Sequence, residues 1–319
     1  MTSHYFSLAR HALLTGLQCA GLKIGAKVGM PRLICSEVEK SLRAADFQIV
    51  YYHVSEGLHP IQLSTVVEMC EAIIAVNYFG FPANLDYFRE IIGNRAIVLI
   101  EDNAHGWLSR DSRGLELGHR ADVGITSFRK TIRSVDGAIL TLSSHLDVPN
   151  MAELGPSIFQ INPGYRARDW ISQVESKTHM PMMNLARSVT RSIRRASVKP
   201  SHGVSMDGIE RPRRPHPSSM VRLEKTNQRR EIERRRDRWL YCLQESAGTG
   251  ITPVHFDLPS GVCPMGFAFY GSKEAARKYS RRIYRSGIEV FSWPEMSCPS
   301  DSVTDLDYYH QLWIANFLQ

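Results

Sequence analysis

Three side chains in the first half of the chain have types and spacing suited to carbonyl and proton chemistry. Ile100-Glu101-Asp102-Asn103-Ala104-His105 puts a carboxylate just past an apolar run, with an imidazole three residues on. A carboxylate there can pair with a cationic ring nitrogen, and His105 can pack over a ring or orient the acid. Lys130 follows 28 positions after Asp102, as the last residue of Ser127-Phe128-Arg129-Lys130. A serine hydroxyl can donate to a phosphate, and a lysine amine can form a Schiff base with a carbonyl carbon. Arg133 can add positive charge beside such a phosphate. Each piece alone has a plainer reading: Asp102 as the cap of a following helix, Lys130 as a surface lysine. The order of acid and then SxxK on successive strand ends is more specific than either.

The elements that must position these residues follow from periodicity. Apolar residues at helical spacing (Leu13, Leu14, Leu17) predict a helix from Ala9 to Ala20, stopped by Gly21. Glu37 to Ala45, Ile61 to Cys70 and Asn84 to Ile92 also read as helices, the last opened by Asn84 as N-cap. Between them, Lys27 to Pro31, Phe47 to Tyr52, Ala72 to Asn77, Ala96 to Ile100, Val123 to Ser127 and Ala138 to Leu142 read as strands. The continuous apolar run at Ala72 predicts burial on both faces. Such alternation predicts an α/β domain with a largely parallel sheet. Ligands of such sheets bind at the carboxyl ends of the strands, which is where Asp102 and Ser127 fall.

Composition narrows the class. The 319 residues, 43% hydrophobic and 22% charged, are those of a globular chain rather than a disordered or fibrous one. No run of about 18 apolar residues occurs, so no membrane-spanning helix is expected, and the first residues lack a signal-peptide pattern. Six cysteines, at 19, 35, 70, 242, 263 and 298, form no CxxC pair, and His53, His59, His119 and His202 share no ligand spacing. A reduced, cytoplasmic protein without a metal is expected. The net charge of +7 is local, because residues 187–238 carry 16 basic and six acidic side chains, or +10. That stretch, with Pro200, Pro212, Pro215 and Pro217, reads as an irregular exposed connection followed by a helix from about Thr226. It is a solvated linker or an anion surface. Without aromatic residues among the arginines, nucleic acid is the weaker partner. The expected units are 1–150, a large cofactor-binding α/β domain; 151–238, the basic connector and linking helix; and 239–319, a small α+β domain.

These residues carry a resemblance to the fold-type-I pyridoxal-phosphate enzymes, and most to the DegT/DnrJ-type sugar aminotransferase family. Ser7-Leu8-Ala9-Arg10-His11-Ala12-Leu13 resembles the segment opening the first helix, and Gly25-Ala26-Lys27-Val28-Gly29-Met30-Pro31 resembles "G-D-E-V-x-x-P". Ala75-Val76-Asn77-Tyr78-Phe79-Gly80-Phe81-Pro82-Ala83 is similar to "V-H-x-Y-G-x-P-A", and Ile100 to His105 to "I-E-D-x-A-Q/H". Gly118 to Gly124, Arg235-Arg236 with Trp239, and Gly287-Ile288 to Trp293-Pro294 match later motifs. The resemblance implies pyridoxal 5'-phosphate as cofactor, with Asp102 at the pyridine nitrogen, His105 by the ring, and Ser127, Ser7 and Arg133 at the phosphate. Lys130 would form the internal Schiff base and then serve as general base. It also implies a homodimer that moves an amino group, with glutamate as donor, to a keto-sugar nucleotide or similar small ketone.

The chain departs from the family's pattern in two places that bear on chemistry. The family's lysine usually stands five residues after the serine; that position is Ile132 here, while Lys130 stands three after. The family's Ser-Gly-Thr at the first helix is Ser7-Leu8-Ala9, which removes a hydroxyl from the phosphate cup. A shortened loop that retains its lysine reconciles the first with transamination. The alternative is a catalytically reduced member of the fold with a binding or regulatory role.

Overall fold

The computed structural model describes residues 1–159, 211–293 and 307–318. Residues 187–210 of the basic segment, and with them His202, lie outside the described residues, as do Pro294 and Cys298.

An eight-stranded sheet forms the larger layer. Its strands are β1 (Thr2–Phe6), β2 (Lys27–Pro31), β3 (Gln48–Val54), β4 (Pro60–Ile61), β5 (Ala72–Val76), β6 (Val98–Asn103), β7 (Val123–Thr126) and β8 (Ala138–Leu142), in the spatial order β1-β8-β7-β6-β5-β2-β3-β4. The centre from β7 to β3 is parallel, whereas β8, β1 and β4 pair antiparallel. All five residues of β5 and all four of β7 are buried, as their unbroken apolar sequences require. The α/β reading is borne out: a large, mostly parallel sheet with helices α1 (Ala9–Cys19), α2 (Ser36–Ala44), α3 (Leu63–Val67) and α4 (Leu85–Ile92) among its strands. Helix α4 buries Leu85, Phe88 and Ile92, one face of a helix, and Asn84 caps it by accepting the Tyr87 N–H at 3.2 Å.

Two expectations need correction. The helix expected over Ile61 to Cys70 is only α3, five residues, because Pro60–Ile61 turns back as β4 against β3 and Gln62 adopts a left-handed φ of 55°. The strand expected to end at Ile100 runs on as β6 to Asn103, so Asp102 lies within it rather than beyond it.

A second, antiparallel sheet has the order β11-β12-β10-β9, with β9 (Thr252–Pro253), β10 (Gly266–Tyr270), β11 (Glu289–Ser292) and β12 (Leu312–Asn316). Helices α5 (Pro217–Lys225), α6 (Gln228–Ser246) and α7 (Lys273–Ile283) accompany it. Helix α5 lies in the stretch expected to be irregular. His216 caps it by accepting the Ser218 N–H, and proline stands at its first position, where the missing N–H costs nothing. Several described arginines of this region donate to carbonyl groups, while Arg229 stays exposed and pairs with Glu233. Arg234 and Arg238 donate to the Phe317 carbonyl, Arg236 to those of Pro259 and Val262, and Arg214 to that of Met151. Part of the positive charge counted in sequence is therefore engaged within the fold.

The two sheets meet in a continuous apolar core. Tyr309 is buried between them: its hydroxyl accepts the Val54 N–H at 2.8 Å and donates to the Val54 carbonyl at 3.1 Å. The Met265 N–H donates to the Phe79 carbonyl at 2.8 Å. Among the described residues no helix is long and apolar enough to cross a membrane.

Candidate active site

The strand order reverses between β5 and β2, and a crevice opens there at the carboxyl ends of the strands. Counting its open mouth, its space is about 910 Å³. Five segments line it: Leu8 to Arg10 at the start of α1, Leu33 to Cys35 after β2, Tyr78 after β5, Asp102 to His105 at the end of β6, and Ser127 to Lys130 after β7. Trp293, which directly follows β11, completes the wall.

Asp102 reaches the cavity through strand alternation. Its neighbours Glu101 and Asn103 project to the opposite face and are buried. There, Arg120 donates to Glu101 Oε1 at 2.6 Å and 2.8 Å and to Asn77 Oδ1 at 3.0 Å, while Asn77 donates to Glu101 and Asn103. That network fixes the strand from behind. On the cavity side, Asp102 Oδ1 accepts the Ala104 N–H at 2.9 Å. It closes a turn and caps no helix, since none follows β6 directly. Burial raises the Asp102 pKa, against the lowering charge of Lys130.

Lys130 sits on a single 3-10 turn, Phe128–Lys130. The turn is anchored by the Phe128 ring, which lies over Gly137: a Cβ there would be 2.0 Å from the ring, and the φ of +132° already favours glycine. Ile132 packs with Trp107 and Phe128 in a small apolar cluster. Lys130 therefore faces the cavity, and the residue at the family's usual lysine position does not. Lys130 Nζ is 3.2 Å from His105 Nε2 and 5.9 Å from the Trp293 ring centre. Burial lowers the Lys130 pKa, opposed by Cys35 and Asp102. Burial also holds His105 well below its usual value, and the charge of Lys130 adds to this. Both Asp102 and Lys130 keep some solvent contact through the mouth, so the burial is that of a pocket wall enclosed on every other side.

His105 is held on three sides. Its ring stacks on Phe79 at 5.9 Å and 9°, Trp293 meets it edge-on at 5.1 Å, and Nδ1 accepts the Phe79 N–H at 3.4 Å. Phe79 has a left-handed φ of 55°, a conformation that costs a non-glycine residue free energy and that clusters at functional sites.

The phosphate residues expected from sequence separate. Ser127 is 1% exposed, and its Oγ has no hydrogen-bond partner, an orphaned hydroxyl in the cavity wall. Ser7 donates to Asp136 Oδ2 at 2.8 Å and does not line the cavity, and neither does Arg133. Asp136 is a buried hub that also accepts from Ser157, Ser219 and the His216 N–H. Sequence reasoning gave no role to Arg129, Cys35 or Trp293. Arg129 and Trp293 stood inside quoted motifs, which was the available signal. Cys35 had none.

Residues 6–152 match the sequence model of the DegT/DnrJ/EryC1/StrS aminotransferase family, which bears out the resemblance over that stretch. No curated protein matches the chain in sequence. Among solved structures, the chain is similar to E. coli GDP-4-keto-6-deoxy-D-mannose-3-dehydratase with bound hydrated PLP (18% identity, 99% of this chain and 83% of that chain, TM-score 0.60). It is similar to S. venezuelae DesV in complex with a ketimine intermediate (16%, 98% and 79%, TM-score 0.64). It is also similar to 3-amino-5-hydroxybenzoic acid synthase (16%, 98% and 80%, TM-score 0.65). At such identities these likenesses establish the fold.

Proposed function

We propose that this chain, whose residues 6–152 carry the DegT/DnrJ/EryC1/StrS aminotransferase pattern, is a pyridoxal-phosphate-dependent sugar aminotransferase. It moves an amino group, with glutamate as donor, to a keto-sugar nucleotide or similar small ketone, as a cytoplasmic homodimer. One observation carries the reading: a carboxylate, an imidazole, a primary amine and an orphaned hydroxyl, from Asp102, His105, Lys130 and Ser127, converge on one cavity at the strand ends. The fit with pyridoxal phosphate is chemical. Asp102 suits a pyridinium nitrogen, the flat ring of His105 a stacked heterocycle, Ser127 a phosphate oxygen, and Lys130 an aldehyde carbon. When bound, the cofactor supplies an electron sink.

The chain's own residues supply the rest. Asp102 would hold a proton at the ring nitrogen by its charge. Lys130, whose pKa burial lowers toward the uncharged amine, would be both nucleophile and proton carrier. Phe79 and Trp293 fix the imidazole and keep water from that side. The dehydratase and DesV structures, with their PLP and ketimine, support the cofactor and a keto substrate. We assign the cofactor to residues 1–150, the connection to 151–238 and the small domain to 239–319. A second reading, a binding protein on the same fold, is favoured by one observation: Ser7 is engaged by Asp136, and Leu8 and Ala9 offer no hydroxyl. Absorbance on adding pyridoxal phosphate separates them. The enzyme develops a visible band that Lys130→Ala abolishes, and a chain that stays colourless is the binding protein.

A further inference from the structure

The start of α1 and the turn after β7 both line the cavity, and three donors there make no hydrogen bond with the described residues, Arg129 as an exposed side chain and Ser127 as a buried one. Arg129 lines the cavity, and its guanidinium makes no hydrogen bond or ion pair with the described residues. Ser127 Oγ, two residues before it, is buried and unpartnered. Leu8, the N-cap of the 11-residue helix α1, gives no side-chain acceptor to the first turn, and the Ala9 N–H finds no acceptor among the described residues. Arg10 stands in the same turn, paired with Glu37 at 3.3 Å, and its charge bears on Arg129.

We propose that Arg129, Ser127 and the N-terminus of α1 form a site for a phosphate monoester dianion, with the Arg129 guanidinium in place of the hydroxyl lost at Ala9. Identifying the bearer of that phosphate as the cofactor rests on the reading above. Expectation from the resemblance put Ser7 and Arg133 at the phosphate; the geometry replaces both with Arg129. The chemistry is complementary. A guanidinium presents paired N–H groups to two phosphate oxygens. A helix N-terminus favours negative charge and offers backbone N–H groups. A buried hydroxyl without a partner is costly and is satisfied by a third oxygen. Desolvation of the guanidinium at the cavity wall and the charge of Arg10 lower the Arg129 pKa, and a bound dianion opposes that direction.

The test separates the phosphate from its bearer. The full chain is titrated with inorganic phosphate, followed by thermal shift and calorimetry, and with pyridoxal phosphate and unphosphorylated pyridoxal, followed by tryptophan fluorescence. Arg129→Met is expected to weaken inorganic phosphate at least tenfold and to remove most of the preference for pyridoxal phosphate over pyridoxal. Pyridoxal affinity stays within twofold. Arg129→Lys, which keeps the charge and loses the fork, is expected to fall between. Because the Arg129 side chain makes no hydrogen bond or ion pair with the described residues, the variants are expected to keep the circular dichroism of the parent. An unchanged preference in Arg129→Met overturns the site, and so does a loss produced by Arg133→Met instead. Arg129-dependent phosphate binding in a chain that takes up no pyridoxal phosphate supports the site and overturns the cofactor reading. Uptake that ignores Arg129 does the reverse.

Discussion

His105 Nε2 lies 3.2 Å from Lys130 Nζ, while the opposite ring nitrogen of His105 accepts the Phe79 N–H. A neutral ring whose Nδ1 accepts a proton must carry its own proton on Nε2. That proton can be donated to Lys130 only if the amine is uncharged. The downward pull of burial on both groups is consistent with such a neutral pair. The amine needed for attack on a carbonyl is therefore the form that the fold favours.

The first prediction is a pH profile. Lysine ordinarily titrates near 10.5, and the Lys130 value is lowered. The neutral fraction grows as pH rises through the lowered value, so the rate of cofactor uptake should reach its plateau below pH 10.5. His105→Phe keeps the stack on Phe79 and removes the donor. It should move the midpoint back up, and stopped-flow absorbance between pH 6 and about 11 reads it. A midpoint that ignores His105 would show that the contact has no part in setting the amine's charge.

Asp102 has the opposite sign. Its pKa is raised by burial, so the folded chain without cofactor carries an unfavourable buried charge once the carboxylate ionises. A raised acid contributes stability at low pH that is lost as pH rises through the shifted range. Asp102→Asn keeps an oxygen to accept the Ala104 N–H and removes the charge. Its thermal midpoint should exceed the parent's by a few degrees near neutrality, with the gap closing toward pH 4. The same variant should lose the visible band on adding pyridoxal phosphate. Equal melting of the two proteins at neutral pH would sink the argument.

What sequence could and could not show follows from the kind of signal involved. Strands such as Lys27–Pro31 and Ala138–Leu142 were legible residue by residue, since an apolar run closed by proline or polar residues has one local solution. Asp102 and Lys130 were legible because each stands at or just past the carboxyl end of such a strand. The short helix α3 was not, because antiparallel pairing of Pro60–Ile61 with β3 overrides the apolar spacing of Leu63, Val66 and Val67. The separation of Ser7 from the cavity has a similar cause. The capture of Ser7 by Asp136 spans 129 residues, and no local pattern contains it. The engagement of Arg234, Arg235 and Arg236 depends on carbonyls in residues 258–265 and at Phe317, which charge counting does not see.

Behind the site, Arg120 and Glu101 form an ion pair with side chains only 4% and 0% exposed. Breaking such a pair leaves an uncompensated charge and costs about 3–5 kcal/mol. Arg120→Met should lose that much in urea unfolding, whereas Arg120→Met with Glu101→Leu should recover a large part of it. Because Glu101 adjoins Asp102, the single variant should also weaken cofactor binding. A single variant as stable as the parent would mean that Asn77 and the backbone N–H of residue 120 suffice to hold Glu101.

Arg235 joins the second sheet to the turn that carries Lys130. It is fully buried, and it donates to the Pro264 and Met265 carbonyls at 3.1 Å, to Glu231 at 2.6 Å, and to the carbonyl of Thr131, one residue beyond Lys130. One planar guanidinium thus serves two segments far apart in sequence, which a single ammonium cannot match. Arg235→Lys keeps the charge beside Glu231 but frees at least one carbonyl, at a cost of about 1–3 kcal/mol for each buried group left unsatisfied. Urea unfolding should show that loss with an unchanged slope. Released from Arg235, Thr131 no longer restrains the turn, so the midpoint of the Lys130 pH profile should move in the same variant. A stability loss without that movement would assign the turn's position to Phe128 over Gly137 alone, and Arg235 would then stabilise the fold without positioning the lysine.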